Sequence, residues 1–149
     1  MVLAIIGALA TIILVAVGGT TKKARDTKRK ATLSQIGRVF SLSCFMPDDG
    51  PGEYDIAELV GEMKVKYPKY ANVFATLKDP RVGTDAEYFY RYIVSEDGKE
   101  CVIYANLENK DEPVTLKDIS TATPKGGLGV FEAETDGING TNKYFQVSN

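Results

Sequence analysis

The hydrophobic pattern divides the chain into two unlike parts. Residues 1–21 carry no charged side chain, and up to Gly19 they are apolar apart from Thr11. Because a helix rises about 1.5 Å per residue, this segment can span the ~30 Å hydrocarbon core of a bilayer. The pattern therefore predicts a membrane-inserted helix. A secretory signal peptide is the competing interpretation, but its charged region precedes the apolar run, whereas here the charges follow it.

One helix is expected to continue well past this apolar segment. No proline occurs from Lys22 to Phe45, and apolar residues recur there mostly three or four positions apart, which places a stripe on one face. The stripe consists of Ala24, Ala31, Leu33, Ile36, Val39, Phe40 and Leu42. We therefore expect a helix from about Val2 to about Phe45, apolar over residues 1–21 and amphipathic over residues 22–46.

The remaining residues, 47–149, are predicted to form a globular head of mixed composition. An amphipathic helix is expected over 55–66, where apolar residues recur at i, i+3, i+4 and i+7 and lysines come late. A second short helix is expected over 68–77, with Pro68 in its first turn.

From about residue 87 the pattern changes to the alternation typical of strands. The residues on one face are Tyr88, Tyr90, Tyr92 and Val94, and Phe89, Arg91 and Ile93 alternate with them. Glu96–Lys99 is a hairpin turn that leads into a strand at Cys101–Asn106. Further strands are expected near Pro113–Leu116, Leu128–Ala133 and Lys143–Val147. The acidic surroundings of the tyrosines disfavour nucleic-acid binding and favour cross-strand aromatic packing.

Charge is distributed unevenly along the chain. The whole sequence has 18 basic and 20 acidic residues, yet residues 22–30 carry a net charge of +5 and residues 31–149 a net charge of −7. We call the six basic residues of this stretch the basic collar: Lys22, Lys23, Arg25, Lys28, Arg29 and Lys30. Such a run is most simply a solvated helix face, and its alternative role is to contact the acidic surface of other molecules.

Composition excludes several classes of enzyme. The chain has no histidine, which removes histidine acid–base catalysis, histidine-activated nucleophiles and most zinc sites. Its two cysteines, Cys44 and Cys101, form either one disulfide or two thiols. No cluster of polar residues suggests catalysis, and we expect a protein that is not an enzyme and needs no cofactor.

Two segments carry a resemblance to a known family. The sequence VLAIIGALATIILVAV at Val2–Val17, followed by KKARDTKRKATLSQIG at Lys22–Gly37, resembles the N-terminal helix of type IV pilins and of the related pseudopilins. Similarity to the head of major pseudopilins, and of pilins from bacteria with reduced genomes, continues at Lys78–Pro80, Tyr88–Tyr92 and Cys101–Leu107. The resemblance implies a type IV pilin-like α+β fold, in which a small antiparallel sheet packs on the C-terminal half of a long helix.

The start of the chain departs from the family pattern. Family members have a short basic leader, a glycine cleavage site and an early glutamate, whereas this chain begins about seven residues later, within the apolar run. Basic residues directly after a membrane span favour a cytoplasmic head, yet the family places the head outside the cell. Either the start is truncated or misassigned, or Met1 is native and the glutamate contact is absent. A missing basic leader would resolve the conflict of orientation, which favours a truncated start.

The resemblance implies a structural role as the major subunit of an extracellular filament. The precursor would lie in the inner membrane, and the pilus assembly machinery would polymerise identical subunits into a helical homopolymer at the cell surface. Burying about 1,000 Å² of helix per subunit would contribute on the order of 25 kcal/mol before the cost of association. The residues expected in this contact are Val2, Leu3, Ile5, Ile6, Gly7, Leu9, Ile12, Ile13, Leu14, Val15 and Val17. Gly18 and Gly19 are the weak point of the helix, since each costs about 1 kcal/mol relative to alanine.

Two other functions remain open at this stage. The chain resembles pseudopilins of type II secretion or competence systems as much as pilins, and sequence does not separate them. Outside the family, a single-span, monomeric, membrane-anchored binding domain would place the basic collar on anionic lipid headgroups. No specific nucleic-acid partner is expected.

The resemblance also bears on three sites in the head. It implies a disulfide between Cys44 and Cys101, as in family heads outside the cell. It implies calcium in the C-terminal loop, with Asp136, Asn139 and Asn142 as candidate ligands, although the spacing of an EF-hand is absent and a simple turn before the last strand is favoured. Asn139 also begins a glycosylation triplet, a pattern that is common by chance.

Overall fold

The protein is α+β, with one long N-terminal helix and a five-stranded antiparallel sheet. The structure is a computed structural model that describes residues 18–149 in full and residues 2–17 by their helical assignment alone. Its helices are α1 (Val2–Phe40), α2 (Ile56–Lys66) and α3 (Ala71–Phe74), the last preceded by a 3₁₀ turn at Pro68–Tyr70. Its strands are β1 (Gly52–Asp55), β2 (Arg91–Val94), β3 (Cys101–Asn106), β4 (Gly129–Glu132) and β5 (Lys143–Ser148).

The long helix ends earlier than its hydrophobic pattern predicts. The N–H of Ser41 still bonds to the Gly37 carbonyl at 2.8 Å, but the chain then turns away, and Leu42 is 88% exposed. The turn lets the backbone of Phe45 reach the Tyr92 hydroxyl, which accepts from its N–H and donates to its carbonyl, both at 2.8 Å. The prediction of a helix to Phe45 is therefore wrong by five residues, because contacts with the head replace the last helical turn.

Helix α2 confirms its prediction closely. Asp55 caps it through a bond from the Ala57 N–H to its carboxylate at 2.8 Å, and Glu58 completes the capping box. The four residues at i, i+3, i+4 and i+7 are all buried: Ile56, Leu59, Val60 and Met63. The segment 68–77 is less regular than expected, since it contains a 3₁₀ turn and a single α turn that ends at Phe74.

The sheet has the strand order β1-β2-β3-β5-β4, and every neighbouring pair is antiparallel. Strands β3, β4 and β5 lie where the alternation predicts them. The expected strand at Pro113–Leu116 is not formed: the N–H groups of Thr115 and Leu116 both bond to the Val130 carbonyl, and the Thr115 hydroxyl accepts the Val130 N–H. Edge strand β1 was not expected, because four residues that begin with a glycine show little alternation.

The hydrophobic core lies between α1, α2 and one face of the sheet. Tyr90 and Tyr92 are fully buried there, and the Tyr92 ring lies 4.9 Å from that of Phe40. The tyrosine row therefore packs against the helix, and Tyr54 of β1 lies opposite Tyr92 in the register of the sheet. Helix α1 also approaches β5 closely, since a Cβ atom on Gly37 would lie 2.2 Å from Cγ1 of Val147. The head is thus packed on the C-terminal part of α1.

Candidate functional site at the junction of helix and head

The basic collar is divided between solvent and the head of the same chain. Lys22, Lys23 and Lys28 are exposed. The other three residues of the collar contact acidic side chains that lie far away in the sequence. Neither the favoured interpretation of the collar as a solvated helix face nor its alternative role of contacting other molecules describes Arg25, Arg29 and Lys30, which pair within the chain.

Arg29 is the centre of a buried ion cluster at this junction. Its guanidinium is fully buried and donates two hydrogen bonds to the Asp79 carboxylate, at 2.7 and 2.8 Å. It also contacts Asp26, one helical turn earlier, at 2.7 Å, and Glu108 at 2.8 Å. Arg25 adds a second two-point contact to Glu108, at 2.7 and 2.5 Å. The planar fork of arginine suits such paired contacts to carboxylates.

Backbone N–H groups complete the coordination of these carboxylates. Asp26 accepts from the N–H groups of Glu108 at 2.9 Å and Asn109 at 2.8 Å. Asp79 accepts from those of Arg81 at 2.9 Å and Val82 at 3.1 Å. The cluster holds two guanidinium groups and three carboxylates, so the N–H groups compensate for the excess negative charge.

The surroundings shift the pKa values of the cluster. Burial alone would raise the pKa of Asp79, but the hydrogen bonds from Arg29, Arg81 and Val82 outweigh it and the pKa is lowered. The pKa of Glu108 is lowered chiefly by its hydrogen bond from Arg25. Burial opposes the charge of Arg29, yet its hydrogen bond to Asp79 keeps its pKa above the ordinary value. All three groups are therefore charged at neutral pH.

A buried tyrosine and an ion pair at the edge extend the junction. The Tyr90 hydroxyl is buried, and within residues 18–149 it has no hydrogen-bond partner. Burial raises its pKa, and the charge of Asp79 raises it further. At the edge of the junction, Lys30 forms an ion pair with Glu112. Together these contacts join α1 to the segments that contain Asp79, Glu108 and Glu112.

A disulfide joins the helix end to the sheet. Cys44 and Cys101 are bonded, with their Cα atoms 5.8 Å apart and 57 positions between them in the sequence. Both are buried. The bridge therefore fixes the chain just after α1 to the first residue of β3.

The C-terminal loop is a structural turn. The side-chain nitrogen of Asn139 donates to the Asp79 carboxylate at 3.2 Å and to the Asn106 carbonyl at 3.0 Å. Asn139 is only 6% exposed and this nitrogen is engaged, which argues against a glycan at this triplet. The Arg81 guanidinium also lies 3.5 Å from its side-chain oxygen.

The calcium candidates are not brought together as ligands. A guanidinium beside the oxygen of Asn139 opposes a cation there, and the amide of Asn142 donates to Glu132 at 2.9 Å. In the part of the chain that the structure describes, no three His, Cys, Asp or Glu residues are placed to hold a metal ion. Asn139 instead extends the ion cluster by its bond to Asp79.

The apolar N-terminal segment lies largely outside the residues described with side chains. This applies to all eleven residues expected to polymerise, from Val2 to Val17. Among residues 18–149, no helix has the length and hydropathy needed to cross a membrane. Gly18 and Gly19 are exposed and helical.

Sequence reasoning missed the four acidic partners of the collar, which are Asp26, Asp79, Glu108 and Glu112. Only Asp26 left a local signal, because it lies three residues before Arg29, where helical side chains meet. Asp79 and Glu108 lie 50 and 79 positions from Arg29, and no local pattern pairs them with it. No protein-family model, curated protein or solved structure matches this chain.

Proposed function

We propose that this protein is a structural subunit of a type IV pilin-like filament, which polymerises through the apolar part of α1. The observation that supports this most is where the head stops covering the helix. Burial of α1 begins at Arg25 and Asp26, and every residue from 18 to 24 is exposed. The uncharged sequence that precedes Gly18 belongs to the same helix. The head does not cover the stretch that follows it, residues 18–24.

A helical segment that is apolar on all sides has to bury its surface away from water. A bilayer does so before assembly, and identical helices do so afterwards. Contacts that repeat head to tail without closing produce an open helical polymer. Small residues at Gly7, Ala8 and Ala10 favour the close approach of such helices.

The junction supports the same role. A subunit in a filament transmits mechanical load between its helix and its head. Here a disulfide and a buried ion cluster both join the two parts, at the end of α1 and in its middle. These contacts join helix and head in addition to the hydrophobic packing between them.

The test is site-specific photo-cross-linking in cells that express the full chain. A photoreactive phenylalanine analogue replaces Ile12 in one variant and the exposed Val65 of α2 in the matched control. We expect a ladder of cross-linked multimers from position 12 in material that is released by shearing, and fibres in that material by electron microscopy. Monomers that stay with the membrane after shearing and cross-link only to lipid would contradict the proposal and favour an anchored monomer.

A further inference from the structure

The face of the sheet opposite α1 carries a cavity that the proposed function does not use. Its volume is about 440 Å³, within the ~300–1,000 Å³ typical of small-molecule sites. Each of four strand and loop segments contributes one aromatic ring: Phe89, Tyr104, Phe131 and Tyr144. Because neighbouring residues of these strands face the core, the aromatic side chains are directed away from the helix.

Three of the rings, those of Tyr104, Phe131 and Tyr144, form a continuous aromatic wall, and Phe89 lines the same cavity. Phe131 and Tyr144 are paired across β4 and β5, and their rings stack at 5.4 Å with an angle of 13°. The ring of Tyr104 lies 6.1 Å from that of Tyr144. Phe89, Tyr104 and Tyr144 are only half-buried, so these rings are accessible from the cavity. The segment 120–122 also lines the cavity.

Phe89 is held in a strained conformation at this wall. Its φ is +60°, a region that bulky residues rarely adopt. The buried Asp55 carboxylate maintains it by accepting the N–H of Phe89 at 2.9 Å and that of Tyr88 at 3.0 Å. Strain of this kind persists where the surroundings enforce it, and it is concentrated at sites that bind ligands.

The charges around the cavity identify the class of ligand. Arg91 is in the lining and opposes a cationic ligand, although aromatic rings alone would favour one. Carboxylates oppose an anion: Glu87 is 3.4 Å from Arg91, and Glu53 accepts the Tyr104 hydroxyl at 2.5 Å.

A neutral ligand with an apolar face and a polar edge fits both of these conditions on charge. A pyranose ring has C–H groups on its face and hydroxyls at its edge, and Ser120 and Thr121 offer partners for the latter.

We propose that this cavity binds a neutral oligosaccharide, which stacks a sugar ring on the aromatic wall. The inference concerns the head alone and holds whether or not the chain forms a filament. Phe89 and Tyr144 provide the stacking surface, and Arg91 donates to ring hydroxyls. The Asp55 carboxylate positions Phe89 and does not touch the sugar.

The test uses the isotope-labelled full chain in micelles of a detergent without a sugar headgroup. Cellotetraose, chitotetraose and maltotetraose are each titrated, and amide shifts are followed by NMR. We expect saturable shifts at Phe89, Thr121 and Tyr144 with at least one of them, at a Kd of about 1 mM or tighter. No shift from any of the three, or stronger binding of choline or inorganic phosphate at this cavity, would overturn the proposal.

Two variants separate binding from folding. Phe89→Gly removes the ring and relieves the positive φ, so the fold is retained while the Kd rises at least about tenfold, which corresponds to ~1.4 kcal/mol. Val65→Ala, at an exposed position of α2 outside the cavity lining, is the control, and its Kd stays within about threefold. Unfolding curves confirm that both variants are folded. An unchanged Kd in Phe89→Gly would show that the sugar does not stack on this wall.

Discussion

Arg29 of α1 donates two parallel hydrogen bonds to Asp79, and neither side chain is exposed to solvent. The two residues are 50 positions apart, and Asp79 follows the short helix α3. The pair therefore sets the position of the long helix relative to the head. A buried charge that loses its partner is costly, which makes this junction sensitive to single substitutions.

Arg29→Met is expected to lower the free energy of unfolding by about 3–5 kcal/mol, because it leaves the buried carboxylates of Asp79 and Asp26 without their cation. Lys28→Met is the matched control on the exposed face of the same helix, and its effect should stay within about 0.5 kcal/mol. Urea unfolding of the full chain in detergent measures both. Equal effects in the two variants would contradict the importance of the cluster.

Acid should weaken the junction. The folded pKa values of Asp79 and Glu108 are lowered below their ordinary values of 3.8 and 4.5. Groups shifted in this direction stabilise the fold above the unfolded pKa, and that contribution is lost as the pH falls through the folded pKa. Stability should therefore be constant from neutral pH to about 5 and decrease below it.

The variants Asp79→Asn and Glu108→Gln test this pH dependence. Each removes one titrating carboxylate, so stability at neutral pH falls while its further decrease in acid becomes shallower. Urea unfolding at a series of pH values gives the slope. If the slope is the same as in the unsubstituted chain, these carboxylates do not cause the acid sensitivity.

The close approach of α1 to β5 predicts opposite effects for two helical glycines. Gly37→Ala places a Cβ 2.2 Å from Cγ1 and 2.9 Å from Cβ of Val147, and this overpacking should cost about 1–3 kcal/mol. Gly61→Ala in α2 meets nothing within 4 Å and should stabilise the protein by up to about 1 kcal/mol. Thermal unfolding distinguishes the two. Adding Val147→Ala to Gly37→Ala should reduce its cost, and a cost that does not change would show that the contact is not responsible.

The disulfide is expected to contribute substantially to stability. Closing a loop of this length is worth about 4 kcal/mol in the chain-entropy description. The double variant Cys44→Ala, Cys101→Ala should lose about that amount, and reduction of the unsubstituted chain should have a similar effect. A double variant as stable as the oxidised protein would show that packing alone holds the end of α1 to the sheet.

The filament proposal predicts different roles for the two halves of the basic collar. The exposed lysines act in assembly, whereas the three residues that pair with the head stabilise the fold. Replacing the exposed Lys22, Lys23 and Lys28 by glutamine should leave unfolding unchanged and weaken the salt dependence of assembly, since exposed charges act over about 10 Å at 0.1 M salt. The control removes three exposed lysines of the head, Lys69, Lys99 and Lys117. Sedimentation of polymer at several salt concentrations compares them, and identical salt dependence would contradict a role for the collar in assembly.

The sequence by itself determined the elements whose signals are local. The 3.6-residue spacing and capping residues of α2, and the alternation in β3 and β5, result from interactions within a few residues, and the structure has them where the pattern places them. The cysteine pairing came from the resemblance, because two cysteines 57 positions apart allow a bond without requiring it. The end of α1 was misplaced, since Leu42 continues the apolar stripe but the bond between Phe45 and Tyr92 draws the chain away.

Only the tertiary structure decided the contacts between distant segments. The basic collar resembled a solvated charge run in the sequence. Half of it, namely Arg25, Arg29 and Lys30, nevertheless has partners 50 or more positions away that no periodicity connects to them. Asn139 matched a glycosylation triplet, but packing against Asp79 and Asn106 buries it. The aromatic cavity arises from strands joined in the order β1-β2-β3-β5-β4. Local patterns record which face of an element is apolar, whereas the pairing of charges and rings depends on which faces meet when the chain packs.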